Sequence, residues 1–434
     1  MDQYAKQLKS KLLKIIRQMA DNPSQWVRNP DKDFIRNRKI TFEDVMRFLI
    51  SSGGNSLNKE LYDYFKPTDT TVSASALVQQ RAKLLPEAFD YLLHRFNAVC
   101  RDTKTYMGYR LLAVDGSTMT FWTDPSEDTY MEHINCNQYH LNALYNLMNK
   151  VYVDAIVQPQ PKQYEQKAAW QMMERMAVEE PCLLMGDRGY GGINLIEHIN
   201  RIPNADYLLR IKTNLWKELR DKPMSEWDID IELHLRTTQT NEDKEAFANG
   251  EAKWIPGHGK NKERKQAVWD FETPYDVKVR IVRIQLNTGE YETIATSLDR
   301  EKFPPERIKD LYHKRWGIET SFRELKYSIG VTNFHAKKQE SVLQEIFARL
   351  IMYNFCERIT LHVVIENDKG RKWQYQANFT MGIHICRDYF RDQSPRPPDP
   401  EEKIKKYILP IRPNRADRRK VGQKPAVLFN YRVA

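Results

Sequence analysis

Short apolar stretches alternate with amphipathic stretches between residues 108 and 213, and this alternation limits the possible fold more than any other feature. Four stretches rich in aliphatic, β-branched and aromatic residues end at turn residues, as strands do: YRLLAVDGSTMTF, NLMNKVYVDAIVQPQ, PCLLMGDRGYGG and ADYLLRIK. Two stretches between them, QYEQKAAWQMMERMAV and INLIEHINR, have helical periodicity. Helices that alternate with strands pack on the faces of a sheet, so we predict an α/β domain.

The regions on either side of this domain have different patterns. The first hundred residues contain short helical stretches separated by turns, such as TFEDVMRFLISSGG with its cap-like start at Thr41 and Asp44. This region fits a helix-turn-helix-like DNA-binding module and an ordinary helical bundle equally well. Between about 215 and 300 we predict a β-rich insertion, with the strands DIDIELHLRT, WDFETP, DVKVRIVRIQL and GEYETIATSL and the polar loop TNEDKEAFANGEAKWIPGHGKNKERK. Two helices follow, one from about 305 to 330 and the buried SVLQEIFARLIMYNFCERI.

The positive charge of the chain is concentrated at its two ends. The net charge is +10, of which residues 1–39 carry +6 and residues 403–424 carry +8, so the remainder is slightly acidic. Basic ends around an acidic middle suggest arms that bind a polyanion and a core that needs carboxylates. No apolar run is long enough to span a membrane, and the start MDQYAKQLKSK lacks the apolar region of a secretory signal. The five scattered cysteines fit reduced thiols in a cytoplasm.

Four polar residues of different chemistry share one face of the helix predicted at 305–330. Tyr312, Arg315, Glu319 and Lys326 fall within ~60° of one another at ~100° per residue, and the row is ~21 Å long. An apolar stripe lies beside this row, so one flank of the helix is expected to pack on a core and to place Glu319 at its edge. A solvated helix with surface ion pairs is the alternative interpretation.

Two acidic residues follow apolar strand segments and are candidates to meet Glu319. Asp115 ends LLAVD and Asp187 ends CLLMGD, and the carboxyl ends of neighbouring strands in an α/β sheet face one crevice. Three adjacent carboxylates repel one another unless cations neutralise them, and Mg²⁺ prefers oxygen ligands of this kind. Two such ions ~4 Å apart can activate a water or a 3′-hydroxyl at a phosphodiester. Tyr312, Arg315 and Lys326 would then hold the flanking phosphates.

These motifs together resemble the IS-four group of insertion-sequence DDE transposases. Its signature of Tyr, two residues, Arg, three residues, Glu, six residues and Lys is met without gaps by Tyr312, Arg315, Glu319 and Lys326. Its first acid, in an apolar strand that ends Asp-Gly, matches Asp115, and its second, in Asp-Arg-Gly-Tyr, matches Asp187. The β-rich insertion between the second Asp and the Glu also matches, as does the helical N-terminal region.

The resemblance implies a ribonuclease H-like catalytic core and a metal site made of Asp115, Asp187 and Glu319. It implies two Mg²⁺ ions, with Mn²⁺ able to substitute, and double-stranded DNA as partner, both as transposon ends and as target. A homodimer in a synaptic complex and a bacterial, nucleoid-associated location are also expected. The implied domains are a helical DNA-binding domain at 1–105, a catalytic core at 106–213 and 301–360, a β-rich insertion at 214–300, and a helical and basic C-terminal segment at 361–434.

Other interpretations of the chain are weaker or share the same site. His133 with Cys136, and His384 with Cys386, lack the paired spacings of a structural zinc site. GDRGYGG is neither a Walker nor a dinucleotide glycine motif, so neither ATP nor NAD is implied. The resemblance implies a transposase that cleaves transposon ends and joins them to target DNA. The alternatives are a domesticated DNA-binding protein that kept the fold but not this reaction, and a ribonuclease H-like nuclease without strand transfer. Some relatives use a Trp of the insertion to hold a flipped base, and no motif here distinguishes Trp254 from Trp269.

Overall fold

The computed structural model describes residues 4–36, 38–66, 72–101, 103–176, 179–212, 216–219, 222–257, 268–286, 289–366 and 372–412. Its α-helices are α1 Tyr4–Asp21, α2 Phe42–Ser51, α3 Leu57–Phe65, α4 Ala74–Arg81, α5 Glu87–Val99, α6 Glu165–Arg175, α7 Ile193–Asn200, α8 Asn241–Asn249, α9 Pro305–Lys314, α10 Trp316–Arg323, α11 Gln339–His362, α12 Phe379–Arg391 and α13 Pro400–Ile404. Its strands are β1 Arg110–Phe121, β2 Tyr130–Met131, β3 Cys136–Asn146, β4 Val151–Pro159, β5 Cys182–Gly186, β6 Ala205–Ile211, β7 Trp227–Arg236, β8 Lys253–Trp254, β9 Tyr275–Gln285, β10 Tyr291–Thr296, β11 Gln374–Ala377 and β12 Ile408–Ile411.

One large mixed sheet organises the chain, which confirms the predicted α/β class. Its order is β2-β3-β1-β5-β6-β10-β9-β7-β8, with β4 paired to β3. The strands β1, β5 and β6 run parallel, whereas β3 lies antiparallel to β1 and β10 lies antiparallel to β6. The strands expected to form an insertion at 214–300 therefore extend this same sheet beyond β6.

Helices cover both faces of the sheet because its strands are apolar on both sides. On β1, Leu112 and Val114 pack with α6 and α7, whereas Leu111 and Ala113 face the opposite side, where α9 and α10 lie. Successive residues of a strand point to opposite faces. The side chain of Asp115 is therefore on the same face of β1 as Leu111 and Ala113, the face that α10 covers.

The N-terminal helices share a continuous apolar core with the rest of the chain. Buried side chains of α1, α2 and α5 join those of α11 and α12 in one cluster that reaches β1, β3 and β4. The helix α2 begins at the predicted cap, where the Thr41 side chain accepts from the Asp44 N–H and Asp44 accepts from the Thr41 N–H. This region consequently contributes to the core around the sheet.

Three local predictions were wrong. The stretch WDFETP is not a strand, because only Trp269 pairs, in an isolated bridge with Gly257. Within the region expected to be a polar loop, residues 241–249 form α8, which starts at a capping box between Thr240 and Asp243. The rest of that loop from 258 to 265 lies outside the described residues. The strand β3 was not predicted, and NLMNK holds the tight turn that joins it to β4.

The helix predicted at 305–330 is present but irregular. The chain is helical from Pro305 to Ser328, with a break in the α-helix at Arg315 and a π-turn over Glu324–Ser328. A π-turn inserts an extra residue per turn, and such turns are frequent at functional sites. Lys326 lies within this π-turn and is therefore rotated relative to the position that a regular α-helix would give it.

Membrane-spanning helices, cysteines and the basic C-terminal segment were also considered in the sequence. No helix in the described part of the chain has the length and apolar character needed to cross a bilayer. All five cysteines are buried, and none of them forms a disulfide. Of the basic C-terminal segment at 403–424, residues 413–424 lie outside the described residues.

Candidate active site

Asp115 and Asp187 lie where two parallel strands separate. The strands β1 and β5 are paired from Arg110 with Cys182 to Ala113 with Met185, and Asp187 directly follows the end of β5. Asp115 is not at the end of its strand as predicted, because β1 continues to Phe121 alongside β3. Both acids nevertheless lie just beyond the last residues that join β1 to β5, where a crevice opens in the sheet.

Backbone amides orient both aspartates. The Gly116 N–H donates to Asp115 Oδ1 at 2.8 Å, and the Gly189 N–H donates to Asp187 Oδ1 at 2.8 Å. The second contact belongs to the short turn that begins DRGY, in which Asp187 caps the residues that follow it. Each carboxylate thus keeps its second oxygen for other contacts.

Packing of α10 against β1 holds Glu319 near these acids. Ile318 and Phe322 are buried against the sheet, and the Ser321 hydroxyl lies 2.9 Å from the Tyr152 hydroxyl of β4. On the neighbouring face, Arg315 Nη2 donates to Glu319 Oε1 at 3.0 Å. The helix is therefore fixed on its apolar flank and presents Glu319 with a cation beside it.

The pKa of Asp115 reflects its burial and the charges around it. Burial is the largest cause that raises the pKa of Asp115 to about 6, and the carboxylates of Asp187 and Glu319 raise it further, against the Gly116 N–H and Arg315. Burial also lowers the pKa of Lys326, and the carboxylate of Asp115 opposes that shift. Asp115 thus lies near enough to the charges of Asp187, Glu319, Arg315 and Lys326 to interact with them electrostatically.

Several donors on the helix face have no acceptor. Arg315 is 3% exposed, and its Nε and Nη1 are buried without a hydrogen-bond acceptor among the described residues. The Tyr312 hydroxyl is also buried and has no hydrogen-bond acceptor among the described residues. An unsatisfied buried donor costs about 1–3 kcal/mol, so these groups would gain from a ligand rich in oxygen atoms.

His140 and Glu165 also border the crevice, and sequence reasoning missed both. His140 lies on β3 and Glu165 is the first residue of α6, with His140 Nε2 2.9 Å from Glu165 Oε1. The glycines that follow the two aspartates leave room for them: a Cβ at Gly116 would stand 2.3 Å from His140 Nε2 and 2.6 Å from Glu165 Oε1. The only signal in the sequence was the glycine after each aspartate.

The donor set fits a hard divalent cation. A Cβ at Gly189 would stand 3.2 Å from Asp187 Oδ1 and 3.2 Å from Glu165 Oε2, so the glycine leaves a space between two carboxylate oxygens. Burial and, to a smaller extent, the neighbouring carboxylates raise the pKa of Asp115, and a cation would stabilise the charged form. The ligand atoms of Asp115, Asp187 and Glu319 do not all lie within 4.8 Å of one another. A pair of ions ~4 Å apart does not require them to do so.

The tightest group of potential ligands lies elsewhere. Among the described residues, only Asp90, His94 and Asp154 bring three ligand atoms within 4.8 Å of one another. Arg175 donates to both oxygens of Asp154, and His94 Nε2 lies 2.8 Å from Asp154 Oδ1. Cations of the protein already neutralise Asp154, so this group is an ion-pair network that joins α5, β4 and α6.

The two tryptophans of the insertion are distinguished by their burial. Trp269 is 1% exposed and packs in the core with Phe271 and Tyr275, so it is unavailable to a DNA base. Trp254 is 38% exposed but lies on β8, six strands from β1 in the order of the sheet. Neither tryptophan borders Asp115 within one chain.

The shifted pKa of Asp115 predicts how stability depends on pH without metal. Its folded-state pKa of about 6 exceeds the unfolded value of ~3.9, so ionisation of Asp115 costs stability above pH ~6 and nothing below pH ~4. We expect Asp115→Asn to raise the free energy of unfolding by about 1–3 kcal/mol at pH 8 in chelator, with a smaller gain at pH 5. Urea denaturation across this pH range measures the difference.

The control for this prediction is an aspartate with the opposite shift. At Asp228, burial acts to raise the pKa, but Arg280, which donates at 3.0 and 2.7 Å, lowers it on balance. Asp228→Asn should therefore destabilise the protein at pH 8. Equal or lower stability of Asp115→Asn relative to wild type at pH 8 would contradict the crowding of the acids.

Comparisons with known proteins agree with the geometry. The family model described as "Transposase DDE domain" matches residues 106–355. The transposase InsG for insertion sequence element IS4 of Escherichia coli (strain K12) is 29% identical over 107 residues, which are 24% of this chain and 24% of that protein. The matched part thus spans about a quarter of this relative.

A solved structure of low sequence similarity covers more of the chain. It is the cryo-EM structure of a piggyBac transposase synaptic complex with hairpin DNA, with 10% identity, a TM-score of 0.46, and coverage of 96% of this chain and 85% of that one. The resemblance to insertion-sequence DDE transposases inferred from the motifs is confirmed by the family match, which includes Asp115, Asp187 and Glu319. Because this match covers more than half of the residues of the chain, the chain belongs to the transposase DDE domain family.

Proposed function

We propose that this chain is a DNA transposase that binds the terminal inverted repeats of its element, cleaves DNA at these ends and joins the freed 3′-hydroxyl to target DNA. The observation that supports this most strongly is the convergence of Asp115, Asp187 and Glu319 at the opening between β1 and β5, where burial and mutual repulsion raise the pKa of Asp115. The core of the sheet, in the order β3-β1-β5-β6, would be a ribonuclease H-like fold.

In the proposed site, Asp115, Asp187 and Glu319 would ligate two Mg²⁺ ions, for which Mn²⁺ can substitute. Bound there, the ions would supply a nucleophile activated at neutral pH and stabilise the leaving oxygen. Arg315 would hold Glu319 in place through one nitrogen, because its Nη2 donates to Glu319 Oε1 at 3.0 Å. The remaining Arg315 donors and the Tyr312 hydroxyl are buried in this structure, and they are proposed to donate to a phosphate after the side chains that cover them move aside.

Lys326 would hold a phosphate further along the DNA strand. It belongs to the π-turn at the end of the catalytic helix, where burial lowers its pKa and the carboxylate of Asp115 opposes that shift. A lysine acts as a point charge and needs no bidentate geometry. It can therefore contact a DNA phosphate whatever the base sequence is. Tyr312, Arg315 and Lys326 are therefore proposed as phosphate-binding residues that place the scissile bond near the acids.

Double-stranded DNA and a second copy of the chain are the proposed partners. Two transposon ends must be held together before joining, so a homodimer in a synaptic complex is proposed, in a bacterial cytoplasm at the nucleoid. The N-terminal helices are proposed to contact the ends because exposed basic residues cluster there, among them Arg36, Arg38 and Lys39. A direct test is cleavage of plasmid DNA that carries the element's terminal repeats, with Mg²⁺ and with chelator.

The proposed N-terminal contacts predict a salt dependence. Because the N-terminal helices share the core with α11, deleting them would expose apolar surface, so substitutions are the better test. Replacing Arg36, Arg38 and Lys39 together by Gln should weaken end binding and reduce the slope of log affinity against log salt by ~0.9 for each phosphate that the variant no longer neutralises. Fluorescence anisotropy with a labelled end duplex at several salt concentrations measures the slope.

A matched control removes the same charge elsewhere. Lys244, Lys278 and Lys302 are exposed on α8, on β9 and before α9. Their joint replacement by Gln should leave the slope much closer to that of wild type. Equal slopes for the two triple variants would show that the N-terminal cluster has no special contact with DNA.

A further inference from the structure

Glu165 lies beside the turns that follow the two aspartates of the proposed metal site. Its Oε1 is 2.6 Å from the point where a Cβ at Gly116 would stand, and its Oε2 is 3.2 Å from the corresponding point at Gly189. Gly116 directly follows Asp115, and Gly189 is two residues after Asp187. The carboxylate of Glu165 thus bridges the turns that carry both acids, in the space that the two glycines leave open.

The two oxygens of Glu165 have different neighbours. Oε1 lies 2.9 Å from Nε2 of His140, a residue that is 5% exposed. Oε2 faces the space at Gly189, where Asp187 Oδ1 also lies 3.2 Å from the ideal Cβ position. The side chain of Glu165 remains 35% exposed.

The surrounding contacts fix this arrangement. The Gln166 side chain donates to the Gly189 carbonyl at 2.8 Å, which ties the first turn of α6 to the turn after Asp187. Neither ring nitrogen of His140 makes a hydrogen bond among the described residues, so the close approach of Nε2 to Glu165 is the contact that orients the ring. An ion pair with His140 alone would need one carboxylate oxygen, whereas the second one faces Asp187.

We propose that Glu165 is a fourth carboxylate ligand of the divalent-metal centre and that His140 is the residue that positions it. This inference rests on the proposed function, since it assigns a further ligand to the same centre. A ligating carboxylate commonly accepts a hydrogen bond from a neighbouring side chain that fixes its orientation. With Glu165 beside Asp187, a fourth carboxylate would help to neutralise the charge of the bound ions.

The test measures binding of Mn²⁺ to the full-length protein by electron paramagnetic resonance, independently of DNA cleavage. We expect Glu165→Gln to weaken the binding of at least one ion by about tenfold or more, and Asp115→Asn to do the same. The control is Glu174→Gln, which removes a more exposed carboxylate of the same helix and should titrate like wild type. Melting temperatures in chelator establish that each variant is folded.

Two further variants separate a metal-binding role from a structural one. His140→Phe should weaken Mn²⁺ binding, whereas His140→Gln, which retains a donor near the position of Nε2, should recover much of it. Gly189→Ala keeps every ligand but places a methyl group 3.2 Å from Asp187 Oδ1 and Glu165 Oε2, so it should also weaken binding. Gly189 is outside the left-handed region of backbone conformation, so alanine does not strain the chain.

The outcomes distinguish this inference from the proposed function. If Glu165→Gln and Gly189→Ala titrate like wild type while Asp115→Asn binds Mn²⁺ weakly, Glu165 is not a ligand and the centre of three acids stands. If Asp115→Asn also titrates like wild type, the proposed metal centre itself is misplaced. Weaker binding in Glu165→Gln, Gly189→Ala and Asp115→Asn, with Glu174→Gln unchanged, supports the fourth ligand.

Discussion

Glu319→Gln is expected to lower the rate of DNA cleavage by on the order of 10³-fold or more while DNA-end binding persists. The substitution keeps the size of the side chain but removes the charge that would ligate a metal ion, and the bound ions contribute several kcal/mol to the reaction. Asp115→Ala and Asp187→Ala should have effects of the same order. Cleavage of end DNA is measured under single-turnover conditions across a range of Mg²⁺ and Mn²⁺ concentrations.

Lys326→Ala is the matched comparison on the same helix. It removes a proposed phosphate contact and no ligand oxygen, so cleavage should slow by about 10–100-fold with a nearly unchanged Mg²⁺ dependence. A helix with a purely structural role would give similar losses for both variants, caused by reduced stability. Identical metal titrations for Glu319→Gln and Lys326→Ala would contradict the roles assigned along this face.

The second large effect is expected at a buried group of charges far from the acids. Glu345 on α11 is 1% exposed, lies 2.8 Å from Arg81 Nη1 on α4, and accepts from the His335 N–H at 3.0 Å. Arg349, one turn further along α11, donates to the Gly53 carbonyl at 2.8 Å. These bonds join the N-terminal helices to the segment that follows the catalytic helix.

Glu345→Ala should destabilise the protein by about 3–5 kcal/mol, because it leaves the buried Arg81 without its partner. The comparison is Glu340→Ala on the same helix, where the glutamate is 53% exposed in its pair with Arg28, so that ~0–1 kcal/mol is expected. Urea denaturation at neutral pH measures both. A loss below ~1 kcal/mol for Glu345→Ala would show that the N-terminal helices do not depend on this network.

The features that sequence reasoning predicted are those encoded by neighbouring residues. The cap at Thr41 and the apolar strand before Asp187 are local patterns that have their expected secondary structure. The row from Tyr312 to Lys326 is also helical, although the α-helix is broken at Arg315 and ends in a π-turn. The signature of the catalytic helix was specific enough to indicate the family that the family model then matched. Local chemistry was sufficient in these places.

The features that were missed depend on pairing between distant segments or on polar sequences. The strand β3 carries Asn, Gln and His among its apolar residues, so its composition resembles a loop until it pairs with β1. The helix α8 is polar apart from Phe247 and two alanines, and only the capping box at Thr240 marked it. His140 and Glu165 approach Asp115 and Asp187 through the register of β3 with β1 and the start of α6, which no local pattern specifies.

The central claim is that the three acids carry out both DNA cleavage and joining. The most direct measurement incubates the protein with linear DNA that ends in the element's terminal repeat, a target plasmid and Mg²⁺, and detects covalent joining of the repeat's 3′ end to the plasmid. The account predicts joined products with wild-type protein and Mg²⁺, and none with Glu319→Gln or in chelator. Cleavage without joining would identify a nuclease, and end binding with neither reaction would identify a DNA-binding protein without catalysis, so either result would contradict the account.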